Sequence, residues 1–258
     1  MNNFIIYFDY KYNGDWDKIY HAFKNFENVD DDLAKQIARE RIDLKEKIIT
    51  ILDDEYPAKL DMLRKPPFAL HYLGNYSLIN FEKSFCLTGN LEKDYIVDLL
   101  CHIDSLAKDV LVVLPSWKGI NEKILEKCLT NDQPILVISK CGLRNEPFLE
   151  KIDFAKHKNV LVISEYPNKY HISRKTIFAY RRIVAALANN LVLLATSGPF
   201  LNNLVNNFLD CGKEVFCFAP EPNDNENSNL ELINLGATLI NDLTKPSQTG
   251  ILVKKTAS

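Results

Sequence analysis

Residues 110–139 read VLVVLPSWKGINEKILEKCLTNDQPILVIS, and short apolar runs open and close the stretch. In VLVVL (110–114) and ILVIS (135–139) the apolar residues are continuous, so as strands both would be covered on both faces. A helical pattern lies between them. A strand, a helix and a second buried strand make the unit of a parallel sheet. The pattern extends outward in both directions. SFCLT (84–88), VLVIS (160–164), LVLLA (191–195) and EVFCF (214–218) are further strand candidates, and ATLI (237–240) is a weaker one. This alternation predicts an α/β fold, an extended Rossmann-like, doubly wound, mostly parallel sheet with right-handed crossovers.

The flanks differ. Residues 17–26 and 32–52 carry apolar side chains at three- and four-residue steps and dense charge on the other face, which predicts helices. In DDEYPAKLDMLRKPPFALHYLGN (53–75), Tyr56-Pro57 and Pro66-Pro67 punctuate a short helix, and 68–73 predicts a strand closed by Gly74. The expected organisation is a helical region over 1–52, a Rossmann-like domain over 53–244 and a tail over 245–258.

Composition excludes several classes. The chain has 258 residues, 47% hydrophobic and 25% charged, which suits a globular domain with a sizeable core. No run approaches the ~20 apolar residues of a membrane span. The N-terminus has neither a basic n-region nor a small-residue cleavage site, so a cytoplasmic location without membrane attachment is expected. Six cysteines show no CxxC spacing and five histidines are scattered, so buried thiols and no metal site are expected.

The net charge is −3, yet its distribution is uneven. Residues 27–55 hold ten acids against five bases, whereas residues 164–184 hold five bases against one acid, Glu165. Such a local basic patch suits a phosphate-rich ligand. Open parallel sheets bind ligands beyond the carboxyl ends of their strands, near the point where strand order reverses. The loops TGN (88–90), PSWKGIN (115–121), SKCGL (139–143), SEYPNKYHISRK (164–175) and TSGPF (196–200) fall there. Neither GxGxxG nor GxxxxGK[ST] occurs, so a standard dinucleotide or P-loop site is not expected. Ser116, Ser139, Ser164 and Ser197 lie at strand ends without a GxSxG context or a nearby histidine, so no catalytic residue is assigned.

Read in order, the landmarks resemble the DNA processing protein A (DprA, or Smf) family. DDEYPAKL (53–60), PPFALHYLGN (66–75), SEYP (164–167), IFAYRRIVAALA (177–188), SGPFLNN (197–203), GKEVFCFAP (212–220) and NLELINLGA (229–237) match its signatures. Some positions depart from it. Asn90 stands for an arginine, Asn121 for an aspartate, and Tyr180-Arg181 for Arg-Asn, while Arg182 matches the last arginine of its motif. The resemblance implies an extended Rossmann-like protein, a homodimer that binds single-stranded DNA and helps load RecA recombinase during DNA uptake, transformation (competence) and recombination, with no catalysis and no cofactor.

The phosphate-binding set expected on this reading is Thr88, Gly89, Asn90, Lys118, Gly119, Asn121, Lys140, Arg174, Lys175, Arg181, Arg182, Ser197 and Gly198. Tyr166, Tyr170, Tyr180 and Trp117 are candidate stacking partners for bases. Arg181 and Arg182 point about 100° apart on a helix. One is free to bind phosphate while the other pairs with Glu165, and Arg182 is the expected phosphate ligand. Two alternatives stand beside this: a scaffold that has lost DNA binding, and a nucleotide hydrolase of a related Rossmann-like family. The hydrolases carry a PGGxGT turn with a downstream glutamate, and TSGPFLNN has neither.

Overall fold

A computed structural model describes residues 2–43 and 47–248. Nine strands form one sheet: β1 (Lys47–Thr50), β2 (Ala69–Gly74), β3 (Lys83–Thr88), β4 (Val110–Pro115), β5 (Ile135–Ile138), β6 (Val160–Ser164), β7 (Asn190–Leu193), β8 (Val215–Phe218) and β9 (Thr238–Ile240). Their order is β1-β2-β6-β5-β4-β3-β7-β8-β9. The run from β6 to β9 is parallel throughout, and β2 joins both of its neighbours antiparallel.

The central strands are apolar without alternation because helices cover both faces. Every residue of β4, β5, β6 and β7 is buried. One face packs against α4 (Ile96–Leu100) and α5 (Ile120–Thr130) through Ile96, Ile124 and Leu125. The other face packs against α6 (Arg174–Leu187) and α7 (Asn202–Asp210) through Ile183, Val184, Leu204 and Phe208. This is a mixed α/β fold of the Rossmann-like kind. Strand order reverses at β3, where the chain crosses from β6 to β7 on the far side. The carboxyl ends of β3, β4 and β7 therefore meet at one mouth.

Three N-terminal helices, α1 (Asn2–Tyr12), α2 (Trp16–Lys24) and α3 (Asp31–Asp43), form a third cluster around Ile6, Phe8, Ile19 and Ile37. It joins the sheet edge through Ile48 and Phe68, and through a buried pair in which His71 Nε2 lies 2.8 Å from Asp9 Oδ2.

One expected element at the N-terminal side differs, and the expected tail is described only in part. The helix expected to reach residue 52 ends by Asp43, and residues 47–50 are strand β1. The β-branched run Ile48-Ile49-Thr50 favours a strand, and Asp53 secures its end by accepting from Thr50 N and Oγ1 at 2.7 and 2.8 Å. Residues 44–46 lie outside the described residues. The expected tail begins as a helical turn, Thr244–Gln248, tied to β7 by Asn190 Nδ2 donating to Pro246 O at 3.1 Å. The rest of it, residues 249–258, lies outside the described residues. Among the described residues no helix is long and apolar enough to cross a membrane.

Candidate nucleic-acid interface

The two loops that meet where strand order reverses are laced together. Asn90 Nδ2 donates to Ser197 O at 2.7 Å, and Ser197 N donates back to Asn90 Oδ1 at 3.0 Å. Asn90 N also donates to Ala195 O at 3.0 Å. Gly89 runs so close beneath that a Cβ would lie 2.7 Å from Ala195 O. Asn90 therefore clamps the β3 and β7 loops, and its amide is not presented to a phosphate. Thr88 and Asn121 are similarly committed. Thr88 Oγ1 donates to Asn121 Oδ1 at 2.9 Å, and Asn121 Nδ2 donates to Pro115 O at 2.7 Å, all buried. Of the residues expected to contact DNA, Thr88, Asn90 and Asn121 therefore have side-chain polar atoms bonded within the protein. Of the expected site residues in these two loops Gly198 is exposed, and it lines a cleft of about 300 Å³ with Thr196, Pro199 and Asn202.

The start of α5 carries a carboxylate. Gly119 is its N-cap, and Gly119 N donates to Glu122 Oε2 at 3.1 Å, which holds the Glu122 carboxyl below its usual range. Glu92 lies beside Gly119 and pairs with Lys123 at 3.1 Å. The positive end of the helix at Gly119, an expected phosphate site, thus already faces the carboxylates of Glu122 and Glu92. Lys118 just before it is exposed. Lys140 Nζ donates to Ser116 O, which ties the β5 loop to the β4 loop.

Helix α6 presents the cations differently. Ser173 caps it by accepting from Thr176 N at 3.3 Å. Its first turn holds Arg174 and Lys175, both exposed, and no acid. Cations at a helix N-terminus reinforce the positive pole instead of neutralising it.

The adjacent arginines have opposite surroundings. Arg182 makes a bidentate pair with Glu165, Nη1 to Oε1 at 2.7 Å and Nη2 to Oε2 at 2.5 Å. It also donates to Ala179 O at 2.7 Å and to Lys65 O at 3.1 and 3.3 Å. Burial draws its pKa down, and the Glu165 carboxylate outweighs that and raises it overall. Arg182, the expected phosphate ligand, is thus held by Glu165 and two backbone carbonyls. Arg181 is fully buried and has no carboxylate partner among the described residues. Its Nη1 donates to Phe200 O at 2.9 Å, while Nε and Nη2 have no hydrogen-bond partner. Its guanidinium carbon lies 4.7, 5.3 and 5.7 Å from the rings of Phe200, Phe178 and Trp117. Burial lowers its pKa, but a guanidinium still keeps its proton at neutral pH.

The stacking candidates divide by access. Trp117, Tyr166 and Tyr180 are buried, and Trp117 Nε1 donates to Gly89 O at 3.2 Å. Tyr170 is half-buried and stacks on Tyr166 at 5.1 Å. Phe178 and Phe200 are 56% and 43% exposed, so the rings that roof Arg181 also face solvent. Neither was among the expected site residues. Phe178 stands three residues before Arg181, a spacing that puts both on one helix face. For Phe200 the sequence carries no comparable signal.

The remaining expectations concern metals and thiols. Among the described residues no cluster of histidine, cysteine and carboxylate groups could hold a metal. Cys86, Cys128, Cys141 and Cys217 are buried thiols, whereas Cys211 is half-buried and Cys101 exposed. Burial pushes Cys128 and Cys217 up to about 12, so neither is a thiolate at neutral pH.

Comparison with known proteins follows the fold. The chain has a TM-score of 0.71 to DNA processing protein A from Streptococcus pneumoniae, with 22% identity over 88% of this chain and 77% of that one. It has a TM-score of 0.65 to DNA processing protein A from Helicobacter pylori, a protein described for its single-stranded DNA binding mode, with 19% identity over 77% of this chain and 93% of that one. No curated protein matches it by sequence. The sequence profile of DNA recombination-mediator protein A matches residues 47–249, from the first strand of the sheet to its last helical turn. The chain therefore belongs to the DNA recombination-mediator protein A family.

Proposed function

We propose that this protein binds single-stranded DNA at the mouth of the sheet and acts as a recombination mediator, passing the strand to RecA recombinase. The observation that carries this reading is Arg181. A buried guanidinium without an anion is costly, and several kcal/mol of desolvation is a rough figure for such an ion. The three rings return only about 0.5–2 kcal/mol each. Two guanidinium nitrogens without a hydrogen-bond partner, beneath solvent-facing phenylalanines, suit a phosphate that arrives with its own negative charge. Exposed Lys118, Arg174 and Lys175 supply the wider field that draws a polyanion in. Phe178 and Phe200 offer faces on which bases stack.

The proposed role is one of binding, without a chemical step. It includes a homodimer working in the cytoplasm during DNA uptake and recombination. Purified protein mixed with a labelled single-stranded oligonucleotide at low salt tests it. Binding is expected, with log K falling linearly against log salt. No binding at any salt sinks the reading, and release of base from nucleoside monophosphates would replace it with a hydrolase.

A second reading has its own support. The Asn90–Ser197 clamp and the Glu122 cap occupy two places where a phosphate would sit. On that reading the chain is a scaffold that keeps a partner surface only. Unchanged DNA affinity in an Arg181→Met, Lys118→Ala double variant would favour it over specific binding at the mouth.

A further inference from the structure

A second cationic groove lies away from the mouth, between α3 and the loops that follow β5 and β6. Its main cleft, about 720 Å³, is lined by Lys35, Arg39, Arg144 and Lys169 on the basic side and by Asp32 and Glu40 on the acidic side. A neighbouring cleft of about 450 Å³ shares Glu40 and Lys169 and adds Tyr10, Tyr170 and His171. The two acids are already partnered: Glu40 with Lys169 at 3.0 Å and Asp32 with Lys35 at 3.6 Å. Arg39 and Arg144 remain, both exposed, and among the described residues neither guanidinium forms an ion pair. The lining thus carries a net positive charge that belongs to two arginines from distant parts of the chain.

The groove is held in shape. Arg144 N donates to Asn168 O at 3.0 Å, Gly142 N to Tyr170 O at 2.8 Å, and Asn145 Nδ2 to Lys169 O at 2.9 Å. At Gly142 the loops nearly touch, and a Cβ there would lie 2.1 Å from Pro167 O. The Lys169–Glu40 pair then fixes the β6 loop to α3. The cationic wall is therefore preorganised, which reduces the ordering cost of binding.

The same β6 loop runs on from Tyr170 and His171 to the Arg174–Lys175 start of α6. We infer that the groove between α3 and the β5 and β6 loops is a second track for the sugar-phosphate backbone, engaged by single-stranded DNA that extends past the mouth, with Arg39 and Arg144 as its phosphate ligands. Arginine forks suit phosphate oxygens, and Tyr170 provides a ring beside the path. This inference rests on the proposed DNA-binding function and adds to it a length dependence.

The test compares a short oligothymidine, about five nucleotides, with one of about twenty, on wild-type protein and on Arg39→Ala/Arg144→Ala. Both side chains are exposed, and an unchanged thermal midpoint checks that the variant folds. For the long strand the affinity is expected to fall roughly tenfold, and the slope of log K against log salt to shrink by about 1.4, two contacts at about 0.7 each. The short strand is expected to bind wild type and variant alike. Equal loss for both lengths, or no loss for the long one, overturns the second track while leaving the mouth as the binding site. Binding of neither strand by wild-type protein overturns the proposed function and this inference together.

Discussion

Arg181 and Arg182 are neighbours in sequence, and the two regions they enter are opposites. Arg182 enters a notch lined by Glu165 and two backbone carbonyls, and both of its terminal nitrogens are bonded there. Arg181 enters a cage of three aromatic rings with one carbonyl and no acid. The first region is complete as it stands. The second holds a buried charge with no carboxylate partner among the described residues. Local completeness marks structural roles, and a buried polar group that breaks the rule marks a place to look for function.

The largest effect expected from this contrast is on the notch. Glu165→Ala leaves Arg182 largely buried without its carboxylate, and should destabilise the fold by about 3 kcal/mol in a denaturant titration. A change under 1 kcal/mol would mean that the pair is not what holds Arg182. The next effect has the opposite sign. Arg181→Met removes an unpaired buried charge and should leave stability unchanged or raise it by about 1 kcal/mol. A loss of 2 kcal/mol or more would show that the cage is structural too, and the contrast would collapse.

Asn90→Ala sharpens the comparison at the mouth. It removes both side-chain bonds of the clamp across β3 and β7, at a cost of about 1 kcal/mol. Thermal unfolding measures this. No change in midpoint would return Asn90 to the set of free site residues. The smallest effect belongs to Lys175, which is exposed at the start of α6. Lys175→Ala should lower the salt slope of oligonucleotide binding by about 0.7 and leave the thermal midpoint where it was.

Much of the sheet was legible in the sequence. Continuous Val, Ile and Leu runs placed β3 to β8 within a residue or two at most of their limits, because burial on both faces leaves no polar positions to confuse the reading. Strand β1 was hidden, since Ile48-Ile49-Thr50 follows directly on a helical pattern and its neighbours supply the same spacing. The site was less legible. Motif position put Arg182 forward as the phosphate ligand, but which of two adjacent arginines meets Glu165 depends on how α6 rotates against the sheet. The aromatic roof needed Phe200 from a loop nineteen residues after Arg181. The α3 groove unites Arg39 with Arg144, and no local pattern carries that.

The central claim is that Arg181 and its aromatic cage hold a phosphate of single-stranded DNA. It is tested most directly by oligothymidine binding across a salt series for wild-type and Arg181→Met protein. The account predicts steep salt dependence in the wild type, and in an equally stable variant an affinity lower by roughly tenfold with a shallower slope. Identical affinity and slope in the two proteins would contradict it.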